Sequence, residues 1–308
     1  MNANAPAESE LRPTLAILAS TVLWGTWWIP LRKLDAAGVG GIWTSGGGLL
    51  LPLLVMLPLL IMRRARIAAA GAPLLLSAFF FALSFAMYAE GVLRAHVARV
   101  ILLFYLTPVW STLLARVMLG EPITRRRMLT LLFGLSGLLV ILDTEQANPL
   151  PRNVGEWLGL AAGFTWGLAM VHTRRARAYP LADKVALQFV FAVAVFAALS
   201  AIPGGREWSL ASFEFFNIGT LAWLLAFAFL WNLPVVWLTF YGGERIEPGR
   251  VAILLMMEVA IGIISAALLT DEPFGAREAV GAALIIAAGA TEFTVRRRAP
   301  APAPPLND

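Results

Sequence analysis

The 308-residue chain is 59% hydrophobic and 14% charged, with a mean hydropathy of +0.76, a net charge of +5 and no cysteine. Soluble domains carry about 25% charged and about 45–50% apolar residues, so this composition points to lipid and excludes a disordered chain. The missing cysteines exclude a disulfide scaffold and thiolate metal sites.

The pI near 10.2 does not mark a nucleic-acid binder. Only Lys33 and Lys184 are lysines, and the arginines fall in short clusters between apolar runs, as basic residues do on the cytoplasmic flank of membrane helices. A nucleic-acid face would be a contiguous patch on an otherwise polar surface.

A helix needs about 20 mostly apolar residues to cross the hydrocarbon core. Such stretches lie at 13–31, 42–62, 72–90, 98–118, 127–143, 155–173, 183–202, 217–240, 249–269 and 277–295, ten in all. They are continuously apolar, without the alternation of lipid-facing barrel strands. The expected fold class is therefore an all-α integral membrane protein with ten transmembrane helices. The fifth run has about 16 uncharged residues and is expected to start near Ile123 or to thin the bilayer locally. The first run is too long for a cleaved signal core, and no A-x-A site followed by a polar mature domain comes after it. The tail over 299–308, APAPAPPLND, is expected to be unstructured.

Orientation follows from the positive residues. With the N-terminus inside, 17 arginines and lysines fall on the cytoplasmic segments and 7 on the outer ones. The inner set includes Arg63, Arg64, Arg66, the Arg125-Arg126-Arg127 run, Arg174, Arg175, Lys184 and Arg296 to Arg298. Both termini are expected in the cytoplasm.

The chain repeats itself. WGTWWIPLRK from Trp24 matches WGLAMVHTRR from Trp166 at an offset of 142, each with a basic pair eight residues after the Trp. ARVILLFYLTPVWSTLLARVMLGEP over 98–122 aligns without gaps to GRVAILLMMEVAIGIISAALLTDEP over 249–273, at an offset of 151. The nine-residue difference fits an insertion around Gly204–Phe213. The expected organisation is a cytoplasmic N-terminus over 1–12, a first five-helix repeat over 13–143, a second over 155–295 and a cytoplasmic Pro-rich tail over 296–308. Five helices is an odd number, so the second copy enters the membrane inverted. Glu121-Pro122 then lies inside and Glu272-Pro273 outside. Inverted repeats characterise secondary transporters, with substrate near the midplane around a central cavity.

These residues resemble the drug/metabolite transporter superfamily, in particular its EamA-type ten-helix exporters. The resemblance rests on WGTWW…RK in the first span, on Leu106-Thr107-Pro108-Val109 with Leu119-Gly120-Glu121-Pro122 in the fourth, and on their second-half counterparts. It runs from about residue 13 to 295 and departs at Val259, where the family pattern has proline. That departure removes the expectation of a second kink symmetric with Pro108. Within the superfamily the tryptophans look most like the bacterial aromatic amino acid exporters. The resemblance implies efflux of amino acids or similar metabolites across the bacterial inner membrane, with the third, fourth, eighth and ninth spans around the pathway. That favours Tyr88, Tyr105, Trp110, Trp231, Asn232 and Glu258 as substrate-binding residues, and Trp166 joins them as the motif position of the sixth span.

The residues themselves supply reasons. Glu258 lies near mid-depth of the ninth span, and ionisable residues there are costly and usually functional. It is open to pairing with a substrate ammonium, to carrying a proton, or to a structural bond, including one with Arg250. Its repeat mate is Thr107. Pro108 removes a backbone bond and frees a carbonyl near Phe104, and Pro234 repeats the device after Asn232, so both are candidate kinks. Asn232 either meets substrate or satisfies carbonyls freed by Pro234. Tryptophans 24, 110, 166, 223, 231 and 237 fall within spans, where ring faces suit aromatic or amphipathic substrates, whereas Trp43, Trp157 and Trp208 lie near span ends as interfacial anchors. Glu90 is read as the ion-pair partner of Arg94. His96, in the outer loop between the third and fourth spans, and His172, at the inner end of the sixth, form no metal site, an interfacial role being favoured for His172 over a proton relay, and Gly120, Gly134, Gly137, Gly281 and Gly289 are read as close helix contacts.

Two other classes compete. Gly134-Leu135-Ser136-Gly137 matches the G-x-S-G box of intramembrane serine proteases, with His172 as the only base to propose. Expected topology puts Ser136 in the outer half of its helix and His172 at an inner end, about 15 Å apart in depth. A channel is disfavoured by a pseudo-symmetric architecture with one buried acid. Phosphorylated substrates would need basic residues at mid-depth, where there are none. The expectation is a non-enzymatic exporter without cofactor or metal, whose partners are an amino-acid-like small molecule and the bilayer. Monomer and dimer both stay open.

Overall fold

In the computed structural model, residues 5–37, 39, 42–95, 97–141, 150–200, 217–270 and 274–293 are described, and no strand occurs among them. The expectations at His96, Trp208, Glu272-Pro273, the 204–213 insertion, Arg296 to Arg298 and the tail lie outside the described residues, as does the side chain of Trp43.

The first half holds α1 (Ala5–Gly25), α2 (Trp28–Ala36), α3 (Ile42–Ala68), α4 (Ala72–Arg94), α5 (Val97–Phe104), α6 (Thr107–Leu119) and α7 (Arg125–Ile141). The second half holds α8 (Val154–Arg175), α9 (Leu181–Ser200), α10 (Ile218–Ala226), α11 (Leu233–Gly243), α12 (Pro248–Leu255), α13 (Met257–Leu269) and α14 (Ala276–Phe293). Local chemistry sets several ends. The Asn153 side chain accepts from the Glu156 amide at 2.9 Å to start α8, and Asn217 forms a capping box with Thr220 to start α10. Gly120, at φ +73°, ends α6 in a left-handed turn that a side chain would strain, and it has open space around it in place of the helix contact expected there.

Among the described residues, eight stretches are long and apolar enough to cross a membrane: Leu11–Leu34, Gly46–Ala68, Ala72–Gly91, Arg99–Leu119, Val154–Ala178, Leu181–Ala198, Ile218–Gly243 and Pro248–Leu269. The fifth and tenth expected spans are not among these eight, and each runs on past the described residues, at 142 and at 294. α7 has 17 residues headed by three arginines, and α14 has 18 that include Arg277, Glu278 and Glu292. Apolar side chains such as Met62, Val117 and Leu268 lie outermost, a surface that suits lipid and would aggregate in water.

The two short helices pack on each other across a glycine seam. A Cβ on Gly137 would lie 2.6 Å from the Gly281 carbonyl oxygen, and one on Gly281 would lie 2.7 Å from the Gly137 oxygen and 2.4 Å from the Ile141 side chain. Around this seam Leu138, Ile141, Ala282 and Ile285 are buried. Small residues let backbones approach where lipid provides no hydrophobic drive for association. Gly281→Leu should separate α7 from α14 and destabilise the protein by about 1–3 kcal/mol through overpacking, read as a lower melting temperature in detergent.

Four long stretches are interrupted. α1 passes to α2 at Thr26-Trp27, α5 to α6 at Tyr105-Leu106, and α12 to α13 at Met256, while a π-helical turn over Phe227–Asn232 joins α10 to α11. In that turn the Leu233 amide bonds back to the Ala228 carbonyl, a register slip that lets Pro234 sit inside a span. The break at Met256 corrects the expectation drawn from Val259. At the repeat offset Met256 is the mate of Tyr105, so both copies break at the same level although only the first has a proline. The Met256 amide is shared between the Ala252 and Ile253 carbonyls at 3.2 Å each, and its own carbonyl accepts from Val259 at 3.1 Å in a tightened turn. Gly25 presses against the main chain just beyond it: a Cβ there would lie 2.8 Å from the Glu258 carbonyl oxygen. Packing by α1 accompanies the break that proline accompanies in the first copy.

Ion pairs join the helix ends. Arg63 meets Asp183 at 2.7 Å between α3 and α9, Arg127 on α7 meets Glu247 just before α12, and Arg99 on α5 meets Glu156 on α8 at 2.8 Å. Glu90 and Arg94 pair within α4 at 2.8 Å. Lys184, counted from sequence as a loop-side charge, is wholly buried on α9, where its ammonium donates to Glu244 and, at 3.0 Å, to the Tyr179 carbonyl.

Candidate functional site

The break between α5 and α6 follows from Pro108, which has no amide to offer the Phe104 carbonyl four residues earlier. The Thr107 hydroxyl donates to that carbonyl instead. α8 also crosses here, since a Cβ on Gly163 would lie 2.5 Å from the same oxygen. The released turn brings Tyr105 to face α13, where its hydroxyl donates to the Glu258 carboxylate. Glu258 therefore bonds a tyrosine rather than Arg250. The pair joins the two broken helices at the positions the repeat makes equivalent, Tyr105 with Met256 and Thr107 with Glu258.

Aromatic rings run outward from this pair. Phe104 lies 5.4 Å from Tyr105, 4.8 Å from Tyr88 on α4 and 6.4 Å from Trp166 on α8, centroid to centroid. Trp166 packs on Phe81 at 4.7 Å and edge-on against Trp24 at 6.2 Å. Trp24 in turn lies 6.1 Å from Phe85 and 6.4 Å from Trp27. Tyr88, Tyr105, Trp166 and Glu258 are thus brought together, joined by Phe104, which the sequence reading left out, and by Trp24, which it counted only among the tryptophans within spans. A signal for Trp24 existed, because it is the repeat mate of Trp166. Phe104 had none beyond its place before the proline turn.

Trp231 and Asn232 adjoin this cluster through α1. The Trp27 indole donates to the Asn232 side-chain oxygen at 3.0 Å, and the Asn232 amide donates to the Gly48 carbonyl at 3.1 Å. Asn232 does not bond the carbonyl freed by Pro234, that of Leu230; it ties α1 and α3 to the π-helical turn. The Trp231 indole donates to the Thr26 hydroxyl at 3.2 Å, and Trp28 to Ser265 at 3.1 Å, so the broken end of the first helix is stitched to the second half. Trp110 stands apart. Thr107, Ser111, Thr112 and Ala115 form the buried face of α6, whereas Trp110 packs edge-on at 5.7 Å against Phe164, an exposed residue of α8.

Ser136 is exposed on α7 and His172 is buried on α8, stacked on Phe80 at 5.8 Å, and no hydrogen bond joins them. Among the described residues no three His, Asp or Glu side chains converge as metal ligands.

Comparison with known proteins agrees with this architecture. The family model described as the EamA-like transporter family matches residues 11–143 and again 153–290. A protein of Escherichia coli (strain K12), described as a probable amino-acid metabolite efflux pump, is 25% identical over 173 residues, or 54% of this chain. That match spans 57% of the pump's length. A protein of known crystal structure superposes with a TM-score of 0.69 over 91% of this chain and 95% of its own; at 19% identity this likeness speaks for the fold alone. With both halves matched, the chain belongs to the EamA-like transporter family, a family of membrane transporters rather than enzymes.

Proposed function

We propose that this protein exports amino acids, aromatic ones among them, or similar small zwitterions from the cytoplasm by alternating access between two inverted five-helix halves, 13–143 and 155–295. The observation that carries the reading is the Tyr105–Glu258 pair at two matched helix breaks, enclosed by aromatic rings. A carboxylate inside a membrane span is costly and is kept where it has work to do. Broken helices at mid-depth line substrate sites in secondary transporters, because only a protected cavity tolerates irregular backbone there. Glu258 accepts the substrate ammonium, Tyr105 fixes the carboxylate rotamer, and Tyr88 and Trp166 offer ring faces. Trp231 and Asn232 form the wall reached through Trp27, Pro108 and Pro234 are the hinges, and Trp110 is not assigned a contact in this reading.

Several findings support the inversion and the direction. Trp24 and Trp166 are repeat mates that touch each other, as residues on a local twofold axis do. The two family matches coincide with the two halves, and the excess of inner arginines favours both termini in the cytoplasm of a bacterial inner membrane. The name of the Escherichia coli relative favours amino-acid efflux. Single cysteines at positions 121 and 272 should label from opposite sides of the membrane; labelling from one side would overturn the inversion. Counterflow in proteoliposomes with labelled amino acids at two pH values should show trans-stimulated uptake of phenylalanine or tryptophan. Absence of uptake across the panel would overturn the substrate class, and a pH-independent rate would mark facilitated efflux.

A further inference from the structure

The tryptophans around the break in the first helix differ in one respect. Trp27, Trp28 and Trp231 donate their indole N–H to Asn232, Ser265 and Thr26 at 3.0, 3.1 and 3.2 Å. The Trp24 indole nitrogen is shut off from solvent and has no acceptor. A buried donor left unpaired is penalised, and more so in lipid, where no water substitutes. Nothing in the packing explains the omission, since Trp24 is held on three sides by the rings of Trp27, Phe85 and Trp166.

Its position suggests what it awaits. Gly25, the next residue, packs on the Glu258 main chain so closely that a Cβ would lie 2.8 Å from the carbonyl oxygen. Trp24 is therefore one residue from the helix turn that carries the buried acid. An α-amino acid presents an ammonium and a carboxylate on neighbouring carbons. A site with an acceptor for the first and a donor for the second reads both, and the donor's partner arrives with the ligand.

We propose that the Trp24 indole N–H is the donor for the substrate carboxylate, so that Trp24 and Glu258 together select zwitterionic amino acids over the corresponding amines. The proposal rests on the exporter reading and deepens it. Selection by a polar group left unpaired when the matching ligand group is missing is stronger than selection by apolar fit.

The test is a cycle on the purified protein, pairing wild type and Trp24→Phe with L-phenylalanine and with phenethylamine, which lacks the carboxylate. Binding is read by calorimetry and transport by counterflow. A second variant carries 3-benzothienylalanine at position 24, an indole isostere without the N–H, so that ring packing is preserved. The expected result is about a tenfold loss of phenylalanine affinity in both variants, with amine affinity unchanged, so that the protein and ligand changes are non-additive. Equal losses for both ligands, or no loss for phenylalanine, would overturn the role of Trp24 and leave the exporter reading standing. Failure of the wild type to bind or carry either ligand would overturn both.

Discussion

Glu258→Gln should lower amino-acid counterflow by about two orders of magnitude while leaving the protein folded. Glutamine keeps the size of the side chain and an oxygen that accepts from the Tyr105 hydroxyl, so the junction between the two broken helices survives. What it loses is the negative charge. Removing one partner of a desolvated, hydrogen-bonded charge pair costs about 2–5 kcal/mol, and about 1.4 kcal/mol corresponds to a factor of ten. Tyr105→Phe keeps the acid and removes only its positioning bond, so a smaller loss is expected, about tenfold. The order of the two effects separates recognition by charge from a purely structural bond. If the helix junction alone mattered, Tyr105→Phe would do as much damage as Glu258→Gln. Efflux rates in proteoliposomes at matched reconstitution, with melting temperatures for both variants, decide between them, and unchanged efflux in Glu258→Gln would remove the residue from the site.

Hydropathy makes the membrane class legible because apolar runs of this length have few other uses, and eight of the expected spans meet the length and composition needed to cross. The two that do not, α7 and α14, carry arginines or acids within their ends, which a window drawn around the apolar residues leaves out. Pro108 announces the first break chemically, by its missing amide. Met256 announces nothing, because an amide shared between two carbonyls and the pressure of Gly25 from another helix accompany its turn. The repeat contained the answer in register rather than in composition: Tyr105 and Met256 are equivalent although no residue type says so. The Trp27–Asn232 bond joins residues 205 positions apart, a contact that no local pattern encodes. Trp110 shows the opposite case. The small and polar stripe of Thr107, Ser111, Thr112 and Ala115 already marks the inward face of α6, and Trp110 lies off it.

Glu156→Ala should lower stability by about 3–5 kcal/mol. Its side chain is 2% exposed and that of Arg99 10%, and the pair is bidentate: Arg99 Nε donates to one carboxylate oxygen at 2.8 Å and an Nη to the other at 2.9 Å. The carboxylate also accepts from the Arg152 amide at 2.9 Å and the Asn153 side chain at 3.1 Å, so one residue closes the start of α8 and fastens α5 to it. Truncating it takes the Glu156 carboxylate from a buried guanidinium that keeps the Leu150 carbonyl at 3.1 Å as one of its remaining partners. The penalty comes from that buried charge rather than from the lost attraction, which fixes a second outcome. Arg99→Met combined with Glu156→Leu removes both charges and fills the volume, so the double variant should recover most of the stability lost by Glu156→Ala. A double variant as unstable as the single one would mean that the Asn153 cap and the Arg152 contact, not the ion pair, hold the two helices. Thermal unfolding in detergent reads the difference directly. The pair bridges the two halves, so under the alternating access proposed above its strength would also limit how far α5 separates from α8. The recovered double variant is therefore expected to change efflux rate while its melting temperature stays close to that of the wild type.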